Sequence, residues 1–192
     1  MATHVYKCMM NVKKEILSLM ATYISVVENP VMVVTHFIPP LIETVLGEYA
    51  VSSPAAREVE VLNLMAEIFN KLKESVIPYA PRILSMAFEP TLSMITASGT
   101  SDEYPEHRLA FFKLLEAMNT HCFTALAIIS SAQLSSVLAA VVWAFKHMSR
   151  ETGETGLNIL MQLLINMSGA GHVVAQPFLQ NHTLTYEQYI KS

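Results

Sequence analysis

Charge is what this sequence has least of. Charged residues make up 15% of its 192 positions, against roughly 25% in ordinary soluble domains. The net charge is −4 and there is no basic block, since Lys13-Lys14 is far too small to serve as one. Nucleic acid is therefore not an expected partner. Cysteine is also scarce: Cys8 and Cys122 form no CxxC, a usage that suits a reducing compartment. No continuous apolar core stands behind a basic start, so no secretory signal is expected. No nucleophile elbow, P-loop, HExxH or zinc spacing occurs, and the Gly169-Ala-Gly171 pair follows a helical pattern, where it reads as a terminator. His107 and His121 fall at opposite ends of one expected helix and share no face. No enzyme, no cofactor and no metal is expected.

What the chain has in excess is apolar residues, 52% of the total. That implies many buried faces, a membrane protein, or a segment of something larger. The many methionines read as gap-filling core. The stretch opening at Glu103-Tyr-Pro-Glu-His-Arg organises the rest. Ser101, Asp102 and Glu103 supply a polar, acidic start, and Pro105 fits a first helical turn. Leu109, Phe112, Leu115, Met118 and Cys122 then recur at steps of three and four, and Phe111, Leu114 and Phe123 widen the stripe. A helix apolar on more than one side must lie between neighbours, so the array is layered.

Other segments carry the same helical period. Residues 12–27 form a helix that Asn29-Pro30 ends. Residues 31–49 read as a short helix and a second one starting at Pro39-Pro40. Ser53-Pro54 opens a helix that buries Val61, Leu62, Met65, Ile68, Phe69 and Leu72, and residues 78–81 separate it from a helix over 83–95. Pro90 should kink or break that helix, at about 3 kcal/mol. A further helix covers 134–148, Ser130-Ser131 has the look of a cap, and Thr152 or a neighbour caps the next. Residues 126–145 carry no charge and meet the length rule for a membrane span, but Ser130, Ser131, Gln133, Ser135 and Ser136 interrupt them, which favours a buried helix.

First helices begin near residues 11, 54, 105 and 152, a spacing of roughly 45 residues, the period of HEAT-type helix pairs. Second helices align as well, Pro40-Leu-Ile-Glu-Thr-Val-Leu against Pro81-Arg-Ile-Leu-Ser-Met-Ala-Phe. The expected fold is all-α, an α-solenoid of about four helix pairs. Its divisions are an extension at 1–10, pairs at 11–50, 54–97, 102–148 and 152–178, and a divergent tail at 179–192.

Seven blocks carry a resemblance: Val12-Lys-Lys-Glu-Ile-Leu, Phe37-Ile-Pro-Pro-Leu-Ile, Pro54-Ala-Ala-Arg-Glu-Val-Glu-Val-Leu, Glu103-Tyr-Pro-Glu-His-Arg, Asn119-Thr-His-Cys-Phe, Trp143-Ala-Phe-Lys-His and Glu154-Thr-Gly-Leu-Asn-Ile-Leu. Their order and spacing resemble the C-terminal third of the exportin-1 family of nuclear export receptors, within the karyopherin superfamily. The departures are Pro90, an insertion near 97–101 and the tail from Gly169.

The resemblance implies HEAT repeats that support binding of leucine-rich export cargo together with Ran-GTP. It further implies contact with nucleoporins at the nuclear pore and shuttling between nucleus and cytoplasm. It implies no membrane partner. The family's cargo groove, with its reactive cysteine, and its N-terminal Ran-binding repeats have no match here; neither Cys8 nor Cys122 aligns with that cysteine. Alternative readings are a stand-alone helical-repeat interaction module and, from residues 126–145 alone, a small membrane protein. The candidate partner contacts are Arg57, Glu58, Glu60, Glu106 and Arg108, charged residues at helix starts whose ends are expected to be exposed.

Overall fold

A computed structural model describes residues 4–97 and 103–169, and every regular element among them is helical. The divergent tail, the end of the fourth expected pair and the insertion after Ala97 lie outside the described residues. We number the α-helices α1 (His4–Val26), α2 (Pro30–Val51), α3 (Val59–Leu72), α4 (Ala80–Ala97), α5 (Pro105–His121), α6 (Phe123–Ile128), α7 (Ser131–Phe145) and α8 (Arg150–Gly169). Short 3-10 turns at Pro54–Ala56 and Lys73–Tyr79 join α2 to α3 and α3 to α4.

The helices stack in two rows. α1 packs on α3, α3 on α5 and α5 on α8; in the other row α2 packs on α4 and α4 on α6. The rows meet where α4 packs on α5 and α7 on α8. One continuous apolar core fills the space between them. Its spine is aromatic: Phe88 of α4 lies 5.3 Å from Phe111 of α5, Phe111 lies 5.2 Å from Phe112, and Phe112 stacks 6.2 Å from Trp143 of α7. Offset and tilted rings at these distances attract beyond their burial. The wide apolar stripe of α5 is explained by its neighbours, since the helix buries residues toward α3, α4, α8 and α7 together.

Polar groups inside the stack are tied to backbone. The Asn119 amide of α5 donates to the Ile159 carbonyl of α8 at 3.0 Å, and Asn166 of α8 donates back to the Asn119 carbonyl at 2.7 Å. A buried amide left unmade would cost more than the net gain of a made one, so the pair fixes how α8 sits on α5. Gly156 sets the approach of α8 to the end of α7. A Cβ there would stand 2.7 Å from the Phe145 nitrogen and 2.8 Å from the Ala144 Cβ.

Several boundaries differ from the sequence reading, each for a local reason. α1 begins at His4, so residues 4–10 belong to the first helix and are no extension. Residues 30–51 form one helix, not two. Pro39 and Pro40 lack N–H groups, and the chain widens to π turns at Val33–Phe37 and Ile42–Leu46 on either side of them. The Ile38 N–H then reaches the Val33 carbonyl, five residues back. α4 runs through Pro90 without a break. α5 starts on Tyr104, in the left-handed conformation at φ 56° and without a side-chain cap, instead of on an acidic cap. Thr152 is buried inside α8 and does not cap it.

Residues 126–145 are split between α6 and α7. Ser130 accepts from the Gln133 N–H at 3.2 Å and Gln133 accepts from the Ser130 N–H at 3.0 Å, a complete capping box. The resulting α7 has 15 residues, short of the ~20 that a membrane span needs. α2 is long and apolar enough to cross a membrane by length and composition. In this fold it faces the core through Val33, Ile38, Leu41, Ile42, Leu46 and Tyr49, and its Glu43 is paired with Arg82 of α4.

Candidate functional site: a charged cleft at one edge of the stack

The starts of α3 and α5 come to one edge of the stack beside the N-terminal half of α1. They enclose a cleft of ≈ 410 Å³ lined by Lys7, Lys14, Arg57, Glu58, Glu106 and His107, among others. At its floor Lys14 Nζ lies 3.3 Å from Glu58 Oε2. The hydrogen bond to Glu58 is the main reason the Lys14 ammonium titrates above its usual value; burial opposes it, and the charges of Glu58, Glu60 and Glu106 add to it. Three carboxylates thus face one lysine. Glu60 Oε2 is itself buried without a hydrogen-bond partner.

Arg57 clamps the edge. Its Nε donates to the Tyr49 carbonyl in the last turn of α2 at 3.2 Å, and its Nη1 donates to the Pro90 carbonyl of α4 at 2.8 Å. Carbonyls in a last helical turn have no partner within the helix, so the guanidinium supplies one. Its carbon also lies 5.7 Å from the centroid of the Tyr49 ring, within cation–π range. The Tyr49 hydroxyl pairs with Thr91 Oγ1 at 2.8 Å, and burial raises its pKa. His107 of α5 closes the clamp, with Nε2 at 3.0 Å from the carbonyl of Arg57. One residue therefore joins α2, α4 and α5.

The structure brings Arg57, Glu58, Glu60 and Glu106 together around Lys14, and places Arg108 elsewhere. The expectation of exposed charged ends is corrected on two of the five. Glu58 and Arg108 are each only 3% exposed. Glu58 is buried by its ion pair. Arg108 donates from Nη2 to the Glu103 carbonyl at 2.9 Å and lies 5.8 Å from the Trp143 ring, inside the α5–α7 wall. Arg57 and Glu60 are half-buried and Glu106 is exposed. Lys14 was missed, although a signal existed. It sits on the stripe of Met10, Leu17, Ala21 and Ile24 that faces α3, and a lysine on a buried stripe calls for an acid opposite.

Among the described residues no group of three or more His, Cys, Asp or Glu side chains could hold a metal ion. His107 and His121 end opposite ends of α5. The Cys122 thiol donates to the Lys73 carbonyl at 3.0 Å, and burial, with Glu74 behind it, pushes its pKa up to about 11. A thiol so protonated is a poor nucleophile. It serves instead to hold Lys73, whose φ of 48° is strained for a side-chain-bearing residue.

A second surface lies at the α1–α2 end of the stack. Two apolar grooves, of ≈ 560 and ≈ 450 Å³, run between these helices and share Met20.

The family described as "CRM1 C terminal" matches residues 1–191, almost the whole chain. The chain belongs to this family. It is 43% identical over 188 residues to Protein EXPORTIN 1B of Arabidopsis thaliana, covering 98% of this chain and 17% of that protein. It is 45% identical over 179 residues to Exportin-1 of Schizosaccharomyces pombe (93% and 16%), and 43% identical over 162 residues to Exportin-1 of Dictyostelium discoideum (84% and 15%). The chain thus spans about one-sixth of the length of these CRM1-family relatives.

Proposed function

We propose that this chain is the C-terminal portion of a nuclear export receptor, an α-solenoid of about four HEAT-type antiparallel helix pairs that acts by binding and not by catalysis. The observation that carries the reading is the match of residues 1–191 to the CRM1 C-terminal family. The alternate stacking of α1 on α3 on α5 on α8 supports the repeat architecture, because each pair covers the face of the next. In this reading the repeats favour the receptor conformation that holds leucine-rich export cargo and Ran-GTP together, a coupling free energy between distant sites. The receptor shuttles between nucleus and cytoplasm and meets nucleoporins at the pore.

Within that role the charged cleft is the edge offered to a protein partner. Glu106 makes the contact and Glu60 backs it, while Arg57 holds the rim and Glu58, paired with Lys14, holds the floor. Arg108 contributes from beneath by fixing the start of α5. The test is a chimera in which this chain replaces the matching segment of the fission yeast Exportin-1. Restored export of a leucine-rich reporter is expected, whereas a folded chimera that binds no cargo with Ran-GTP sinks the reading. The isolated chain should capture neither an export-signal peptide nor GTP-loaded Ran; tight, cooperative capture would show that it is more than a supporting part.

A further inference from the structure

Where α3 meets α5, the seam opens to solvent as a groove of ≈ 520 Å³ lined by residues of these two helices alone. α1 also packs on α3, and α8 on α5, so both walls of the groove already have their neighbours in the row. Two hydrogen bonds fix the register across it. The His107 ring meets the Arg57 carbonyl at one end, and the Cys122 thiol meets the Lys73 carbonyl at the other, pairs 50 and 49 positions apart. α3 and α5 therefore run parallel, which sets Asn63 opposite Lys113, Glu67 opposite Glu116 and Asn70 opposite Thr120. Steps of three and four keep these rungs on one face of each helix. The floor between them is made of Ala66 and Ala117, both small and both buried. Among the described residues, none of the six rung side chains is tied up in a hydrogen bond or an ion pair.

We propose that this groove binds an extended segment of a partner protein and takes one arginine or lysine side chain between Glu67 and Glu116. The middle rung decides the charge. Both carboxylates are half-buried, and like charges facing each other across a furrow favour a cation between them. The outer rungs decide the backbone. Asn63, Asn70 and Thr120 can each donate to and accept from a peptide group. Asn63 and Asn70 lie about 10 Å apart along the helix axis, the length of about three extended residues. Lys113 closes one end with a positive charge. At the other, His121 is held toward its neutral form by burial, and the charge of Lys73 adds to that. The groove thus suits a single basic residue among uncharged or acidic ones, and not a basic run. Arginine should bind tighter than lysine, because its planar fork can meet both carboxylates at once.

Selection of random peptides displayed on phage against the full chain tests this independently of the export reading. The expected result is enrichment of sequences with one arginine or lysine flanked by uncharged or acidic residues. A synthetic peptide of the enriched sequence should shift amide signals of α3 and α5. Its affinity should fall about ten-fold or more in Glu67→Gln with Glu116→Gln, and about three-fold in Asn70→Ala. Replacing the peptide's basic residue by glutamine should cost as much as the double variant. If that variant melts lower than the parent chain, the peptide replacement and the amide map decide instead. No enrichment over a blank selection overturns the proposal, as does enrichment of acidic or wholly apolar sequences. Binding that survives loss of both carboxylates in a folded variant, or that maps to the Lys14–Glu58 edge, overturns it too.

Discussion

α1 and α5 are both long, apolar helices, yet α5 buries nine of its residues and α1 only two. Composition does not explain the difference, because α1 carries an unbroken apolar stripe of its own. Neighbours explain it. α5 is flanked by α3, α4 and α8, whereas α1 has α3 on one side and grooves on the other. Burial in a stacked array is a property of position in the row. The same side chain therefore has different consequences in the middle and at the end.

Three measurements would break or sharpen this contrast. The largest effect belongs to Phe112, fully buried between Phe111 and Trp143. Phe112→Ala should lower the unfolding free energy by about 3–5 kcal/mol. Leu19→Ala at the exposed end should change it by less than ~0.5 kcal/mol in dilute solution. Equal losses in chemical denaturation would mean that α1 is as well covered as α5. Second comes Arg57, whose guanidinium donates to the carbonyls of Tyr49 and Pro90 and so ties α2 to α4. Arg57→Ala should cost about 2–3 kcal/mol, and Arg57→Lys, which cannot reach both carbonyls in the same fork, should recover only part. Amide exchange should rise at the end of α2 and within α4 while α7 and α8 stay protected; a uniform rise would contradict the clamp.

The third effect is a pH dependence. Cys122 is held protonated in the fold, with its pKa moved from 9.0 up to about 11. Between those values the unfolded chain has lost a proton that the folded chain keeps, so stability falls as pH rises through that window. The loss should approach roughly 2 kcal/mol at the top of it, and Cys122→Ser should flatten that part of the profile. A wild-type profile that is level from pH 9 to 11 would remove Cys122 from the centre of the fold.

Much of this architecture was legible because the apolar period is strong. The helix from Pro105 and the cap at Ser130 both follow from residues near in sequence. Two kinds of feature were not legible. Exposed ends for Glu58 and Arg108 were inferred from their place at helix starts, and what decides their burial lies far along the chain: Lys14 for one, Trp143 for the other. The clamp of Arg57 on Tyr49, Pro90 and His107 likewise joins residues up to 50 positions apart, and single-chain spacing carries no trace of it. The second kind is phase. A period of 3.6 divides residues 30–51 at the two prolines, because it does not allow for turns that use more residues.

Those π turns have a consequence for length. A turn closed five residues back holds more chain than an α turn, so Val33 and Ile38, five apart, both reach the core. Residues on either side can keep their faces even though the count between them is irregular. α2 therefore contains two joints at which a single-residue deletion can be absorbed by tightening to an α turn, leaving Leu46 and Tyr49 where they are. Sequences descended from a common ancestor should show their gaps in this helix near Val33–Phe37 or Ile42–Leu46. In α5, a continuous α-helix with no wide turn to give up, a gap would rotate every later side chain off its neighbour.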